Sequence, residues 1–245
     1  MSVDPERKNV RTQRKRREPY KVRTVKQVTH DTWRIELDGS PIVFEPGQYV
    51  VMRVSSEGEK PEPHPFSISS SPSTPIIELT VKEVGDFTAA IGNLKPGDDV
   101  TLDGPFGKFS YVFHDADNLV FIAGGIGVTP FISMLRDLFE KGFPRNVALI
   151  WGNKAERDIT FREEIEGFAA NHAQFKLTHV LSEQDDWEGE KGYIRVGLLK
   201  QALAFEPDTQ YFVCGPPRMN DLVLAMLNDM DIPEDRVHTE RFTRR

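Results

Sequence analysis

Two rhythms of apolar and polar residues divide the chain. Between residues 20 and 113 they alternate in short runs. Lys21-Val22-Arg23-Thr24-Val25 and Thr32-Trp33-Arg34-Ile35-Glu36-Leu37 show the period of two expected of a half-buried strand, whose successive side chains leave on opposite faces. Segments 49–54, 76–84 and 99–102 read as further strands, and His64-Pro65-Phe66-Ser67 starts another. Asp38-Gly39 and Pro46-Gly47 mark turns, and one short helix is expected at about 87–93. Several antiparallel strands with Gly/Pro turns predict a small barrel.

After residue 117 the rhythm changes. Apolar runs of strand length at 119–123, 147–151, 176–181 and 211–214 are followed by helical patterns at about 129–141, 161–170, 196–203 and 217–230, with a closing strand at 237–242. Strand–helix alternation favours a parallel sheet. The boundary falls near His114-Asp115-Ala116-Asp117, which gives domains at 19–114 and 115–245 behind an arm at 1–18.

The bulk numbers narrow the picture. A chain of 245 residues accommodates two ordinary domains. Its single cysteine excludes an internal disulfide and any all-cysteine zinc or iron–sulfur site within it. That suits a reducing compartment, and with no signal-peptide pattern the expected location is cytoplasmic. The longest apolar stretch, 119–135, is interrupted by glycines, Thr129, Pro130 and Ser133, so it reads as strand, turn and helix rather than a membrane span. The net charge of −7 conceals an asymmetry: residues 1–23 carry +6 and the rest −13. A basic arm suits an acidic partner or an anionic membrane face, or is simply a solvated tail; the acidic body argues against a nucleic-acid enzyme.

Three segments carry candidate chemistry. An apolar strand enters Gly124-Gly125-Ile126-Gly127, and a helix leaves at Thr129-Pro130. Glycines allow a sharp turn and close ligand approach, Thr129 is placed to cap the helix, and the free N–H groups favour a pyrophosphate. The alternative is a turn that serves packing alone. No acidic residue follows the next strand to bind a ribose; Lys154 stands there, suited either to a 2′-phosphate or to solvent. Cys214-Gly215-Pro216 ends the next-to-last strand, at the sheet edge where parallel sheets bind ligands, although a buried free thiol is more often plain packing. In the first half, His64-Pro65-Phe66-Ser67 and Gly85-Asp86-Phe87-Thr88 offer a strand start and a helix start, the latter suited to a second pyrophosphate or to ordinary capping.

Together these segments, across roughly 20–242, resemble the ferredoxin–NADP reductase superfamily. Its usual Arg-x-Tyr-Ser flavin motif reads His64-Pro65-Phe66-Ser67 here, which is similar to the dehydrogenase half of the NADPH oxidase and ferric reductase branch. Segments 81–88 and 124–131 resemble that branch as well. The resemblance implies an antiparallel Greek-key β-barrel that binds FAD, followed by a parallel-sheet α/β nucleotide-binding domain for NAD(P)H. Phe66 would lie along the flavin and Ser67 near its N5. His64, Gly85 and Thr88 would contact the ribityl chain and pyrophosphate. Gly125, Gly127 and Thr129 would hold the nicotinamide nucleotide, with Cys214 near nicotinamide C4. The ending Glu240-Arg241-Phe242 resembles the family's terminus, with Phe242 over the flavin. Ser67, Cys214, Glu240 and Phe242 are therefore the expected catalytic set. The implied cofactor-binding set also takes in Pro65, Val81, Lys82, Phe87, Gly124, Pro130, Lys154, Gly215, Pro216 and Met219. No metal site is expected. The implied reaction passes a hydride from NAD(P)H to FAD and electrons onward to an acceptor on another polypeptide. The alternatives are a non-catalytic flavin subunit and a module that docks on a membrane haem protein through the basic arm.

Overall fold

The computed structural model describes residues 16–54, 62–202 and 208–241. The first half is one curled antiparallel sheet. Its strands are β1 (Arg16–Thr29), β2 (Thr32–Gly39), β3 (Tyr49–Val54), β4 (His64–Ser67), β5 (Ile77–Lys82) and β6 (Asp99–Phe106), with helix α1 (Asp86–Ile91) after β5. The order is β4-β3-β6-β1-β2-β5, and an Ile68–Leu79 bridge joins the two outer strands into a barrel. The crossover that seats β6 between β3 and β1 gives the Greek-key connection. Alternate residues such as Ile35, Leu37, Val50, Met52, Leu79 and Leu102 fill the interior, as the period of two requires.

Two expectations change. β1 is 14 residues long because its start pairs with β6 and its remainder with β2. It begins at Arg16, inside the stretch expected to be an arm; residues 1–15 lie outside the described residues. Asp38-Gly39 is not a turn but the end of β2. Gly39 pairs with Tyr20, and a Cβ there would come within 2.4 Å of the Tyr20 ring, so this glycine makes room for an aromatic across the sheet.

The second half is a parallel sheet of β7 (Asn118–Gly124), β8 (Asn146–Asn153), β9 (Phe175–Leu181), the short β10 (Glu190–Lys191), β11 (Gln210–Gly215) and β12 (Val237–Arg241). Helices α2 (Thr129–Glu140) and α3 (Arg162–Asn171) cover one face; α4 (Val196–Gln201) and α5 (Pro217–Asp229) cover the other. Every residue of β7 is buried, which is why it reads as a continuous apolar run. The order β10-β9-β8-β7-β11-β12 reverses direction between β7 and β11. The connections leaving these two neighbours diverge, and that opens a crevice at their carboxyl ends.

The halves are joined by polar contacts. Arg136 of α2 donates to the Ser69 carbonyl and to Glu78 of β5, both at 2.7 Å, and holds Glu164 of α3 through two further bonds. Ser133 donates to the Ser70 carbonyl at 2.7 Å. Lys82, at the end of β5, lies 2.8 Å from Asp31 and 3.9 Å from Asp158 of the second half, and His30 stands beside both carboxylates.

Candidate active site

The glycine turn sits at the point where the sheet reverses. A 3-10 turn, Gly125–Val128, leads from β7 into α2, and the Trp151 indole N–H pins it by donating to the Gly125 carbonyl at 3.0 Å. Three glycines here are required by the protein itself. A Cβ on Gly127 would stand 2.2 Å from the Cys214 carbonyl oxygen; one on Gly124 would meet Met219 and Pro216; one on Gly215 would meet Met219 and the Gly124 backbone. Gly125 differs: its φ is +51°, and a Cβ there would meet nothing within 4 Å. It is therefore the glycine of this turn that faces open space, where a phosphate can approach the backbone. Thr129 does not cap α2. It is buried, and its hydroxyl donates back to the Ile126 carbonyl at 3.1 Å, while Pro130 occupies the first turn as its fixed φ favours.

Beside this turn lies a pair of acidic groups, Cys214 and Glu240. Cys214 is fully buried, and burial, then the nearby Glu240 carboxyl, pushes its thiol pKa well up. Glu240 is its register partner on β12, and burial likewise raises its carboxyl above the ordinary range. Cys214 is thus a neutral thiol, unsuited to nucleophilic attack, and it is part of the second half's apolar core. Asn220 of α5 donates to the Glu240 carbonyl at 3.3 Å.

The barrel meets this edge through Gly107, just past β6. A Cβ there would lie 3.2 Å from the Tyr49 ring and 3.9 Å from the Glu240 carboxylate. Gln48 donates to the Gly107 carbonyl at 2.8 Å. Tyr49 pairs with Ser67 of β4, so the line Ser67, Tyr49, Gly107, Glu240, Cys214 runs unbroken from one domain into the other. Ser67 is buried, and its hydroxyl makes no hydrogen bond among the described residues.

Further along β4, His64 stacks on Phe87 of α1 with ring centroids 3.8 Å apart, and Phe66 lies 6.1 Å from Phe87 in a near-parallel plane. The His64 Nε2 is buried without a hydrogen bond. Gly85, at the start of α1, is exposed and has nothing within 4 Å of where a Cβ would stand. Pro65 is exposed. Other expected residues are engaged elsewhere. The Thr88 hydroxyl accepts from the Val84 and Gly85 N–H groups and donates to the Gly85 carbonyl, so it caps its own turn. Val81 points into the barrel core, and Lys82 belongs to the ion cluster at the seam. Lys154 is exposed and paired with Glu183 at 3.1 Å. Phe242 lies outside the described residues. A cleft of about 400 Å³ between the domains, lined by Ser70, Glu78, Arg136, Glu164 and Phe168 among others, contains none of the motif residues.

Sequence reasoning missed Trp151, Tyr49, Arg136 and Glu183. Only Glu183 left a signal: it follows the apolar run that became β9, at the edge where Lys154 was noted.

The geometry defines a two-domain protein with an aromatic-lined barrel site set against a parallel-sheet switch point, the class of architecture that binds two ligands side by side. Comparison with known proteins agrees. The profile of the Oxidoreductase FAD-binding domain matches residues 19–111, and that of the Oxidoreductase NAD-binding domain matches 121–224. The NADH-cytochrome b5 reductase 1 of Candida glabrata is 32% identical over 210 residues, covering 79% of this chain and 72% of its own. A glycine betaine monooxygenase reductase subunit of Pseudomonas aeruginosa is 30% identical over 235 residues, covering 90% of this chain; the chain spans 63% of that relative's length. A cytochrome P450 reductase from Amycolatopsis superposes with a TM-score of 0.82 at 25% identity, covering 94% of this chain and 70% of its own. The chain belongs to the ferredoxin–NADP reductase superfamily and carries its FAD-binding and NAD-binding domains in that order.

The residues present fit FAD. The His64 Nε2 has no hydrogen bond, only the Glu62 carboxylate 3.8 Å away; among the described residues the Ser67 hydroxyl has none either, and the face of Gly85 is open. Among the described residues, no helix is long and apolar enough to cross a membrane.

Proposed function

We propose that this chain oxidises a nicotinamide nucleotide through FAD and delivers the electrons to an acceptor on another polypeptide. The observation that carries the reading is the continuous line from Ser67 through Tyr49 and Gly107 to Glu240 and Cys214, which brings a barrel site and a sheet-edge site to one place. His64, Phe66 and Phe87 would hold the flavin through stacked rings, and Gly85 would let its phosphates approach the backbone. Bound FAD supplies a two-electron acceptor for hydride that can release electrons singly. Ser67 would offer a hydrogen bond at the flavin's reacting edge. Gly125 would seat the nucleotide's pyrophosphate, while the buried, neutral Cys214 thiol would help keep water away from the ring that gives up the hydride. No proton-transferring triad is required.

The acceptor reading is supported by the kind of protein this chain resembles: the P. aeruginosa relative is a reductase subunit of a monooxygenase, and the C. glabrata relative is a cytochrome b5 reductase. A closer tie to the NADPH oxidase and ferric reductase branch rests on the His64-Pro65-Phe66-Ser67 motif and on segments 81–88 and 124–131. Docking through the basic arm rests on its charge, and most of that arm lies outside the described residues. The test is steady-state oxidation of NADH and NADPH by the FAD-loaded chain with ferricyanide. Turnover supports the enzyme; a flavin that binds but never turns over either nucleotide would favour the non-catalytic subunit.

A further inference from the structure

We propose that Trp151 is a positioning residue for the nicotinamide nucleotide: its indole N–H fixes the Gly125–Ile126 peptide so that the Ile126 N–H faces an incoming phosphate. The inference rests on the functional reading above and concerns what holds the turn rather than its glycines. The Trp151 indole N–H donates to the Gly125 carbonyl at 3.0 Å. The peptide joining Gly125 to Ile126 is trans, and in a planar trans peptide the C=O and the N–H point in opposite directions. With the carbonyl turned towards the core to meet Trp151, the Ile126 N–H is turned away from it. Gly125 and Ile126 are the half-buried residues of this turn, whereas Gly124, Gly127 and Val128 are buried. The peptide that Trp151 holds is therefore the part of the turn that reaches the surface, beside the open space in front of Gly125.

Packing alone does not call for an indole here. Trp151 is fully buried in the second half's apolar core. A phenylalanine would fill much of the same space without a polar N–H, which is costly when buried unpaired. The neighbouring ring does not take the bond: His179 lies 5.6 Å from Trp151, and neither of its ring nitrogens is hydrogen-bonded among the described residues. The donor also stands on a rigid element, because Trp151 pairs with Ala123 of β7 on one side and with His179 of β9 on the other. The next peptide is held separately, since the Ile126 carbonyl accepts the Thr129 hydroxyl at 3.1 Å. Gly125, at φ +51°, is the flexible point of the turn, free to adopt conformations that a side chain would forbid. The Trp151 bond removes that freedom beforehand, so the phosphate meets a donor already in place.

The test compares the FAD-loaded wild-type chain with Trp151→Phe and with a chain carrying benzothienylalanine at position 151, an isostere of tryptophan that lacks the N–H. Calorimetry with NAD+ and NADP+ gives affinity, steady-state oxidation of NADH and NADPH separates kcat from KM, and amide NMR follows Ile126 during titration with inorganic pyrophosphate. Both variants should bind the dinucleotides about five- to tenfold more weakly, the loss expected of one hydrogen bond. KM should rise by the same factor while kcat and FAD affinity hold, the pattern of lost uniform binding. The wild-type Ile126 amide should shift on addition of pyrophosphate, and the shift should shrink in the isostere chain. The isostere fills the core as the indole does, so its result decides the matter if Trp151→Phe fails to fold. Wild-type affinity in the isostere chain would overturn the proposal and leave the functional reading standing. A fall in kcat at constant KM would overturn it too, as would an Ile126 amide that ignores pyrophosphate while the dinucleotides bind. A wild-type chain that binds neither dinucleotide would overturn the functional reading and the proposal with it.

Discussion

The two glycine-bearing turns of this molecule look alike in sequence and differ in what demands their glycines. At the end of β7, Gly124 and Gly127 are needed because the turn crosses the end of β11 at backbone contact, and Gly215 is needed from the other side. Those residues would be glycine whether or not a nucleotide ever bound. At the start of α1, nothing in the protein requires Gly85: its backbone is extended, with φ at −168°, and the space before it is empty. Among the described residues the side chains of His64 and Ser67 likewise make no hydrogen bond, with Glu62 no nearer than 3.8 Å to the His64 ring nitrogen. A motif that packing explains says little about a ligand, whereas one that packing leaves unexplained points to it. By that standard the barrel half, whose sequence signal is the less familiar, gives the stronger structural case for a cofactor, and in the second half only Gly125 gives a comparable one.

The contrast can be broken first at the seam. Arg136 is 15% exposed and holds Glu78 and Glu164 from opposite domains. Arg136→Met would leave those carboxylates facing each other at a largely buried junction, and the loss should be the largest here, about 3–5 kcal/mol, read as a lower urea midpoint. Gly127→Ala comes next. A methyl 2.2 Å from the Cys214 carbonyl forces the turn off β11 and should cost about 1–3 kcal/mol whether or not a nucleotide is present. A stability loss that vanished on adding the nucleotide would contradict the packing explanation.

Much of this was legible in the sequence. Alternation located the barrel strands, and continuous apolar runs located β7, β8 and β11, because each pattern follows directly from which faces are buried. What stayed hidden depends on partners far along the chain. Gly39 read as a turn because Tyr20 was not yet known to lie across it. Thr129 read as a cap because the 3-10 turn that takes its hydroxyl bond cannot be seen in a string of glycines. Arg136 gave no signal at all, since an arginine on a helix is ordinary until its two carboxylates arrive from other elements. Of the site, the motif segments were legible and their joining through Tyr49 and Gly107 was not.

A smaller effect, at the boundary of the halves, depends on pH. His114, at the domain boundary, and His238 of β12 have ring centroids 3.9 Å apart, their planes tilted by 34°. Burial, then the neighbouring His114, lowers His238 to about 4, and burial also lowers His114. A histidine depressed in the folded state leaves stability intact above its unfolded value, about 6.5, and removes it as pH falls towards its folded value. Stability should therefore decline between about pH 6.5 and 4, and His114→Phe should flatten that decline by removing one of the two charges. An unaltered pH profile would show that the pair stays uncharged for another reason. The smallest effect on stability belongs to Gly85→Ala, within about 0.5 kcal/mol because the added methyl meets nothing. The same change should weaken FAD binding, measured by flavin fluorescence titration. Unaltered FAD affinity would remove Gly85 from the flavin site.

The central claim is that one chain joins a flavin site to a nicotinamide site. Its most direct measurement is anaerobic addition of stoichiometric NADH, and separately NADPH, to the FAD-loaded chain while the visible flavin absorbance is followed. Rapid bleaching by at least one nucleotide, restored when an oxidant is added, is the result this structure predicts. A tightly bound flavin that neither nucleotide bleaches would contradict it.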